Sequence, residues 1–113
     1  KGVHVRIQIA ARHCQVGDDV RERAEELVER LTRFDPGVSS AEVIFTEEGR
    51  THRAETILHI DGKDHVVAHG DADDFTAALD KMYDRAKKIL RRQHGAEKHH
   101  KGTPRSERAI ETT

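Results

Sequence analysis

Residues 74–92 read DFTAALDKMYDRAKKILRR and predict one long amphipathic helix. The apolar residues recur every three or four positions, so they form a single stripe that must pack against other parts of the chain. This stripe consists of Phe75, Ala78, Leu79, Met82, Ala86, Ile89 and Leu90. At about 100° per residue, four cations fall together on one flank beside the stripe. They are Lys81, Arg85, Lys88 and Arg92.

One strand and a first helix are predicted at the start of the chain. Residues 3–9 alternate strictly between apolar and polar side chains, which indicates a half-buried strand. Gly17, Asp18 and Asp19 then supply turn and capping residues, with negative charge at a helix start. Apolar residues continue at helical spacing to Phe34, and the sequence Asp-Pro-Gly at 35–37 ends this helix.

Three short strands are predicted between the two helices, over residues 41–46, 51–60 and 63–70. Gly49 marks the first turn, and Asp61-Gly62 is a hairpin signal between the last two strands. The order is therefore β-α-β-β-β-α, in which the helical crossover makes the first two strands parallel and the rest form an antiparallel meander. We predict an α/β (α+β) two-layer sandwich, a four-stranded sheet with two helices on one face.

The length of 113 residues allows one domain with a modest core. No apolar period remains from Gly95 onward, so we expect a folded domain over residues 1–94 and a basic, disordered tail over residues 95–113. Cys14 is the sole cysteine, which excludes an internal disulfide and fits a reducing cytoplasm. No apolar run approaches the roughly 18 residues of a membrane span, and no signal peptide is recognised.

The net charge of −1 conceals a strong asymmetry along the chain. Residues 1–80 carry 10 Lys/Arg against 17 Asp/Glu, a balance of −7, whereas residues 81–105 carry 9 against 2, a balance of +7. An acidic body with a basic second helix and tail favours a polyanionic partner. The alternative is that the cations of this helix form a solvated face and pair with Asp80 or Asp84.

Four motifs occur along residues 3–94 in an order that is known from one protein family. They are Arg33-Phe34-Asp35-Pro36 with Ser40-Ala41-Glu42-Val43, Arg53-Ala54-Glu55 with Leu58-His59-Ile60, Asp74-Phe75-Thr76-Ala77-Ala78-Leu79-Asp80, and the basic run through Arg91-Arg92. Together they resemble the ribosome hibernation-promoting factor and ribosome-associated inhibitor family, also called sigma-54 modulation proteins. Phe75-Thr76 departs from the family's usual Met-Tyr, and residues 71–74 form a segment about two residues longer.

The resemblance implies a fold related to double-stranded RNA-binding domains and a non-enzymatic ribosome hibernation factor of the cytoplasm. Such a protein binds the small ribosomal subunit and its ribosomal RNA, competes with mRNA and tRNA for their cleft, and inhibits translation under stress or in stationary phase. It needs no cofactor, no small-molecule substrate and no membrane. The C-terminal dimerisation domain of the longer family members is absent, which is expected of a short form or of an N-terminal domain.

The residues expected to bind RNA are cations of the two helices and the first loop. Lys81, Arg85, Lys88 and Arg92 form the preferred stripe, while Lys87 and Arg91 lie on a neighbouring face and reach either solvent or another RNA strand. By the resemblance, three further cations match basic positions of the family: Arg30, Arg33 and Arg12. The alternatives are surface pairing with glutamates for the first two and a loop cation without a role for the third.

The sequence gives little support to a metal site or to a nucleophilic thiol. His4, His59, His65 and His69 share the exposed sheet face by strand parity, but zinc needs three or four converging ligands and nothing in this spacing imposes them. We therefore expect no metal site. Cys14 is expected to be a partly buried thiol rather than a nucleophile. The alternative function is a protein-interaction module that modulates a transcription complex through the open sheet face or the acidic first helix.

Overall fold

The predicted β-α-β-β-β-α order is confirmed in the computed structural model, which describes residues 5–102 and their side chains as far as Gln93. The elements are β1 (Arg6–Arg12), α1 (Asp18–Leu31), β2 (Val38–Glu48), β3 (Thr51–Ile60), β4 (Val66–Ala72) and α2 (Phe75–Gly102). The strands lie in the order β1-β2-β3-β4. As predicted, β1 pairs with β2 in parallel and the other two pairs are antiparallel.

Several ends of elements differ from the prediction. β1 continues past Ile9 to Arg12, and the predicted strand residues Val3 and His4 lie outside the described residues. β4 begins only at Val66, because the residues before it form the turn that follows β3. α2 continues through Gly95 to Gly102, across the predicted boundary of the tail. Gly95 lies inside this helix although a glycine there costs about 1 kcal/mol relative to alanine.

Both helices pack on one face of the sheet, where alternate residues of the strands are buried. Phe45 of β2 is the largest fully buried side chain, and its ring meets that of Phe75 edge-on at a centroid distance of 5.2 Å. The predicted apolar stripe of α2 forms much of this core. Its fully enclosed members are Ala78, Leu79, Met82, Ala86 and Leu90.

Gly70 allows α2 to approach β4 closely. A Cβ atom at this position would lie 2.5 Å from the carbonyl oxygen of Ala78 and 2.6 Å from the amide nitrogen of Met82. Both of these atoms belong to the backbone of α2, so a side chain here could be accommodated only by moving the helix. The absence of a side chain at Gly70 therefore fixes the distance between α2 and the sheet.

A buried carboxylate holds the connection between α1 and β2. Asp35 is only 3% exposed, and its Oδ1 accepts a hydrogen bond of 2.9 Å from the amide of Gly37. Its Oδ2 lies 3.4 Å from the ammonium of Lys63 in the turn between β3 and β4. α1 ends at Leu31, before the predicted Phe34, and the sequence Asp-Pro-Gly lies in the connection that follows, where it joins two turns at one end of the sheet.

Candidate nucleic-acid interface

The cationic flank of α2 is positioned by the way this helix begins. Asp74 immediately precedes the helix, and its Oδ1 accepts a hydrogen bond of 2.7 Å from the amide of Ala77. This is the N-cap interaction that satisfies one of the free amides of a first helical turn. Burial of the apolar stripe fixes the rotation of α2 about its axis. The N-cap fixes where the helix begins, and Gly70 sets its distance from the sheet. Its cations therefore lie at defined positions along the neighbouring strand.

Two of the four stripe cations contact the outer edge of β4. The Lys81 ammonium donates a hydrogen bond of 3.1 Å to the carbonyl oxygen of Asp71, and the Arg85 guanidinium donates one of 3.2 Å to that of His69. β4 is an edge strand, so carbonyl groups on its outer side have no partner strand. The two cations thus cover this edge and are themselves held in place. Both side chains remain exposed to solvent.

The other two cations of the stripe, Lys88 and Arg92, are exposed further along the same flank. Within the part of the chain that the structure describes, neither forms a recorded hydrogen bond or ion pair. Because an α-helix rises about 1.5 Å per residue, the stripe from Lys81 to Arg92 spans roughly 16 Å. The predicted stripe therefore forms one continuous cationic border. Its first half rests on β4 and its second half is available to a ligand.

Lys87 lies on the opposite flank of α2, toward α1. Its ammonium is 5.2 Å from the centroid of the Tyr83 ring, which is a cation–π contact. On the same side, Asp80 lies 3.4 Å from the guanidinium of Arg23, so a salt bridge connects the two helices. Arg91 is exposed between the two flanks. Lys87 is thus separated from the stripe and lies on the opposite flank rather than on the neighbouring face that the sequence predicted.

Of the two cations predicted in and near α1 to bind RNA, one forms an ion pair with an acidic neighbour. Arg30 forms an ion pair of 3.3 Å with Glu26, which is the surface pairing considered as the alternative to RNA binding. Exposed pairs of this kind contribute at most about 1 kcal/mol, so a phosphate could still displace the glutamate. Arg33 lies just beyond the end of α1 and is exposed. These two cations lie on the helical side of the sheet.

Arg12 does not lie in the first loop, and this part of the prediction is wrong. It is the last residue of β1 and an exposed member of the strand's alternating pattern, because the strand extends beyond Ile9. Its side chain is on the face opposite the helices, in register with Thr46 and, one strand further, with Arg53. The sheet therefore separates Arg12 from the other predicted RNA-binding residues.

The open sheet face carries an ion pair that the sequence reasoning missed. Arg53 of β3 and Asp71 of β4 are cross-strand partners, and two guanidinium nitrogens lie 2.8 and 3.2 Å from the two carboxylate oxygens. The hydrogen bond from Arg53 lowers the pKa of the Asp71 carboxyl, and the same pairing raises the pKa of Arg53. The pair could have been found from the register of the β3–β4 hairpin. It neutralises one cation of this face.

The remaining sequence hypotheses concern the thiol and the histidines. The Cys14 thiol lies 3.5 Å from the carbonyl oxygen of Phe45, and burial, with Glu47 nearby, raises its pKa. A raised pKa disfavours the reactive thiolate. Among the described residues, no group of three or more His, Cys, Asp or Glu is arranged to hold a metal ion. Over the same range, neither helix has the length and hydropathy that crossing a membrane requires.

Comparison with known proteins identifies the class to which this fold and its cationic helix belong. Residues 7–98 match the family described as Sigma 54 modulation protein / S30EA ribosomal protein, and the chain belongs to this family. The match begins within β1, includes the whole of α1, β2, β3 and β4, and ends within α2. The resemblance stated from the four sequence motifs is thereby confirmed.

Individual relatives narrow this class. The chain is 31% identical over 86 residues to the ribosome hibernation promoting factor of Azotobacter vinelandii, a match that covers 76% of this chain and 79% of that protein. It is 30% identical over 98 residues to the ribosome hibernation promotion factor of Rhizobium meliloti strain 1021, covering 85% of this chain and 52% of that protein. The second relative is therefore about twice as long as the region it shares with this chain.

Solved structures share the same architecture. The N-terminal domain of Thermus thermophilus Protein Y superposes with a TM-score of 0.68 at 27% identity, covering 76% of this chain and 94% of that one. A ribosomal subunit interface protein from Coxiella burnetii superposes with a TM-score of 0.74, covering 80% of this chain and 98% of that one. Because its identity is 17%, this second structure supports the fold alone.

Proposed function

We propose that this protein is a ribosome hibernation factor that binds the small ribosomal subunit and inhibits translation under stress or in stationary phase. Membership of the S30EA family and two relatives named as hibernation factors support the proposal. The structural observation that carries it is the cationic border of α2. There, Lys88 and Arg92 are exposed beside two cations that β4 already holds in place.

The proposed mechanism is steric and involves no reaction. The sandwich would occupy the cleft through which mRNA and tRNA pass, and the helix cations would contact phosphates of the ribosomal RNA. Contacts to phosphates position a protein without reading sequence, and structured RNA is recognised mainly by shape. A border on a helix suits this role because the backbone holds its cations at fixed intervals, and two of them are already held against β4. As a ribosome-bound factor, the protein would act in the cytoplasm.

Charge reversal on the free half of the border tests the proposal. The double variant Lys88→Glu/Arg92→Glu changes two exposed side chains that form no hydrogen bond or ion pair with the described residues. We expect its co-sedimentation with purified small subunits to weaken by about tenfold or more, because attraction to phosphates becomes repulsion. Thermal unfolding should change little, since both positions are exposed.

The matched control reverses two other exposed arginines. Arg6 lies at the start of β1 and Arg50 in the turn between β2 and β3, so Arg6→Glu/Arg50→Glu changes the net charge equally but leaves α2 untouched. We expect near-normal co-sedimentation. Equal losses in the two double variants would show attraction by overall charge alone. Full binding by the α2 variant would place the interface elsewhere.

Competition tests the proposed location on the subunit. If the protein fills the cleft, small subunits loaded with mRNA and a P-site tRNA should bind it more weakly than empty subunits do. The same subunits carrying neither ligand provide the reference. Simultaneous binding at full stoichiometry would exclude the cleft, even if the α2 cations proved essential for attachment to the ribosome.

A further inference from the structure

Two histidine rings face each other on the open side of the sheet, away from the α2 border. His59 is near the end of β3, and His65 lies in the turn before β4. The Nδ1 atom of His59 is 3.1 Å from the Nε2 atom of His65, and the ring planes cross at 76°. His65 is exposed, so the space around the two nitrogens is open to solvent.

Glu42 determines which nitrogen of His59 is free. A carboxylate oxygen of Glu42 on β2 lies 3.2 Å from the Nε2 atom of His59. An ionised carboxylate only accepts hydrogen bonds, so the ring proton of neutral His59 is placed on Nε2. The lone pair of Nδ1 then points toward His65. In the metal-free protein this lone pair accepts the Nε2 proton of His65.

We infer that His59 and His65 chelate a late first-row divalent metal ion such as Cu²⁺, Ni²⁺ or Zn²⁺. With metal–nitrogen distances of about 2.0–2.1 Å, two nitrogens 3.1 Å apart subtend roughly 95–102° at the metal. This angle lies between those of octahedral and tetrahedral coordination. Glu42 would hold His59 in the carboxylate–histidine–metal arrangement that is common at such sites.

Solvent completes the coordination, because the described residues supply no third converging ligand. On binding, His65 changes tautomer: its ring proton leaves Nε2 and Nδ1 of the same ring takes up a proton, so both facing nitrogens have a free lone pair, and the two rings rotate until these lone pairs meet at the metal. Imidazole ligands favour copper, nickel and zinc, whereas magnesium prefers oxygen. The site should therefore bind Cu²⁺ most tightly and should not respond to Mg²⁺.

Metal-dependent stabilisation tests this inference on the full chain. The two rings come together only in the folded hairpin, so an ion held by both raises the unfolding temperature. At a tenfold excess of free ion over its dissociation constant we expect a rise of about 5 °C or more with Cu²⁺, and a response to Ni²⁺ and Zn²⁺ at higher concentrations. Mg²⁺ at the same ionic strength should give no rise.

Single alanine variants assign the effect to this pair. His65→Ala and His59→Ala should each abolish the rise, whereas His69→Ala, on the same sheet face, should keep it. His94, His99 and His100 are present in all of these variants, so any binding near the C terminus is common to them. A rise as large in His65→Ala as in the unaltered chain, or no rise with the unaltered chain, would overturn the inference.

The role of Glu42 has its own readout. Long-range ¹H–¹⁵N NMR spectra report which ring nitrogen carries the proton, and His59 should be protonated on Nε2 in the metal-free protein. Glu42→Ala should give a mixture of the two tautomers and weaken metal binding by about 10–100-fold. An unchanged tautomer together with unchanged affinity would show that Glu42 does not position His59.

Discussion

The guanidinium of Arg85 donates a hydrogen bond of 3.2 Å to the backbone carbonyl oxygen of His69, so a cation of α2 covers the outer edge of β4. Arg85→Ala should lower the free energy of unfolding by about 0.5–1.5 kcal/mol, because it removes this bond. It should also increase self-association, since an uncovered edge strand can pair with another chain. Urea denaturation and light scattering measure the two effects.

Lys88→Ala is the matched control for this edge. It removes a cation from the same flank that has no recorded partner within the described residues, so stability should stay within about 0.5 kcal/mol. Equal losses in the two variants would mean that helix charge, rather than the contact with β4, stabilises the fold.

Substitution of Gly70 should loosen the packing of α2 on the sheet. In Gly70→Ala the added methyl group would overlap the backbone of α2 near Ala78 and Met82, which cannot rotate away as a side chain could. Overpacking of this kind costs about 1–3 kcal/mol. Urea denaturation of both proteins provides the comparison. A change below about 0.5 kcal/mol would show that α2 moves more freely than the packing indicates.

The Arg53–Asp71 pair should make stability depend on pH in the acid range. Its hydrogen bond lowers the pKa of Asp71 in the folded chain below the ordinary value of 3.8, so the unfolded chain takes up this proton at higher pH. The stabilisation is therefore present above pH 3.8 and is lost as the pH falls through the lower, folded value. Arg53 stays protonated throughout.

Asp71→Asn should consequently destabilise the protein near neutral pH. The difference in unfolding free energy between this variant and the unaltered chain should shrink below pH 3.8. Urea midpoints between pH 7 and about pH 2.5 measure this convergence. Asp73→Asn is the matched control for the loss of one negative charge, because it alters a nearby exposed carboxylate that forms no ion pair among the described side chains. A constant difference for Asp71→Asn would contradict the role of the pair.

The proposed binding to the small subunit should weaken steeply with salt. If four to six phosphates are neutralised, the logarithm of the association constant should fall against the logarithm of salt concentration with a slope of about −3 to −5. Removal of one contact, as in Lys88→Ala, should make the slope shallower by about 1. Filter binding over a salt series gives both slopes. A slope near zero would indicate contacts with proteins instead.

Periodicity predicted the architecture because buried and exposed positions alternate clearly in most elements. β3 was predicted at its observed bounds, since turn signals lie at both of its ends. The predicted end of β1 at Ile9 was too early, because Ala10 and Ala11 give little contrast between apolar and polar positions. The same error assigned Arg12 to a loop. The extension of α2 to Gly102 was not predicted, because no apolar period marks the residues from Gly95 onward.

The helical spacing of α2 also predicted which cations share a flank. It could not show that Lys81 and Arg85 lie against β4, because this depends on the order of strands in the sheet. The contact between His59 and His65 could not be predicted from the sequence either. Strand parity put both rings on one face, but their separation depends on the conformation of the turn at 61–65.

The position of β1 at the edge of the sheet, paired in parallel with β2, also determines which strand unfolds locally first. β1 has a single neighbour, β2, and the chain reaches that neighbour only after passing through α1. Its inward side chains Ile7 and Ile9 are only half-buried, whereas β2, β3, β4 and α2 follow one another along the chain and enclose most of the core. Amide hydrogens of β1 should therefore exchange with solvent through local detachment of this strand, well before those of β3. During folding, β1 should join the sheet last, because it must close the longest loop.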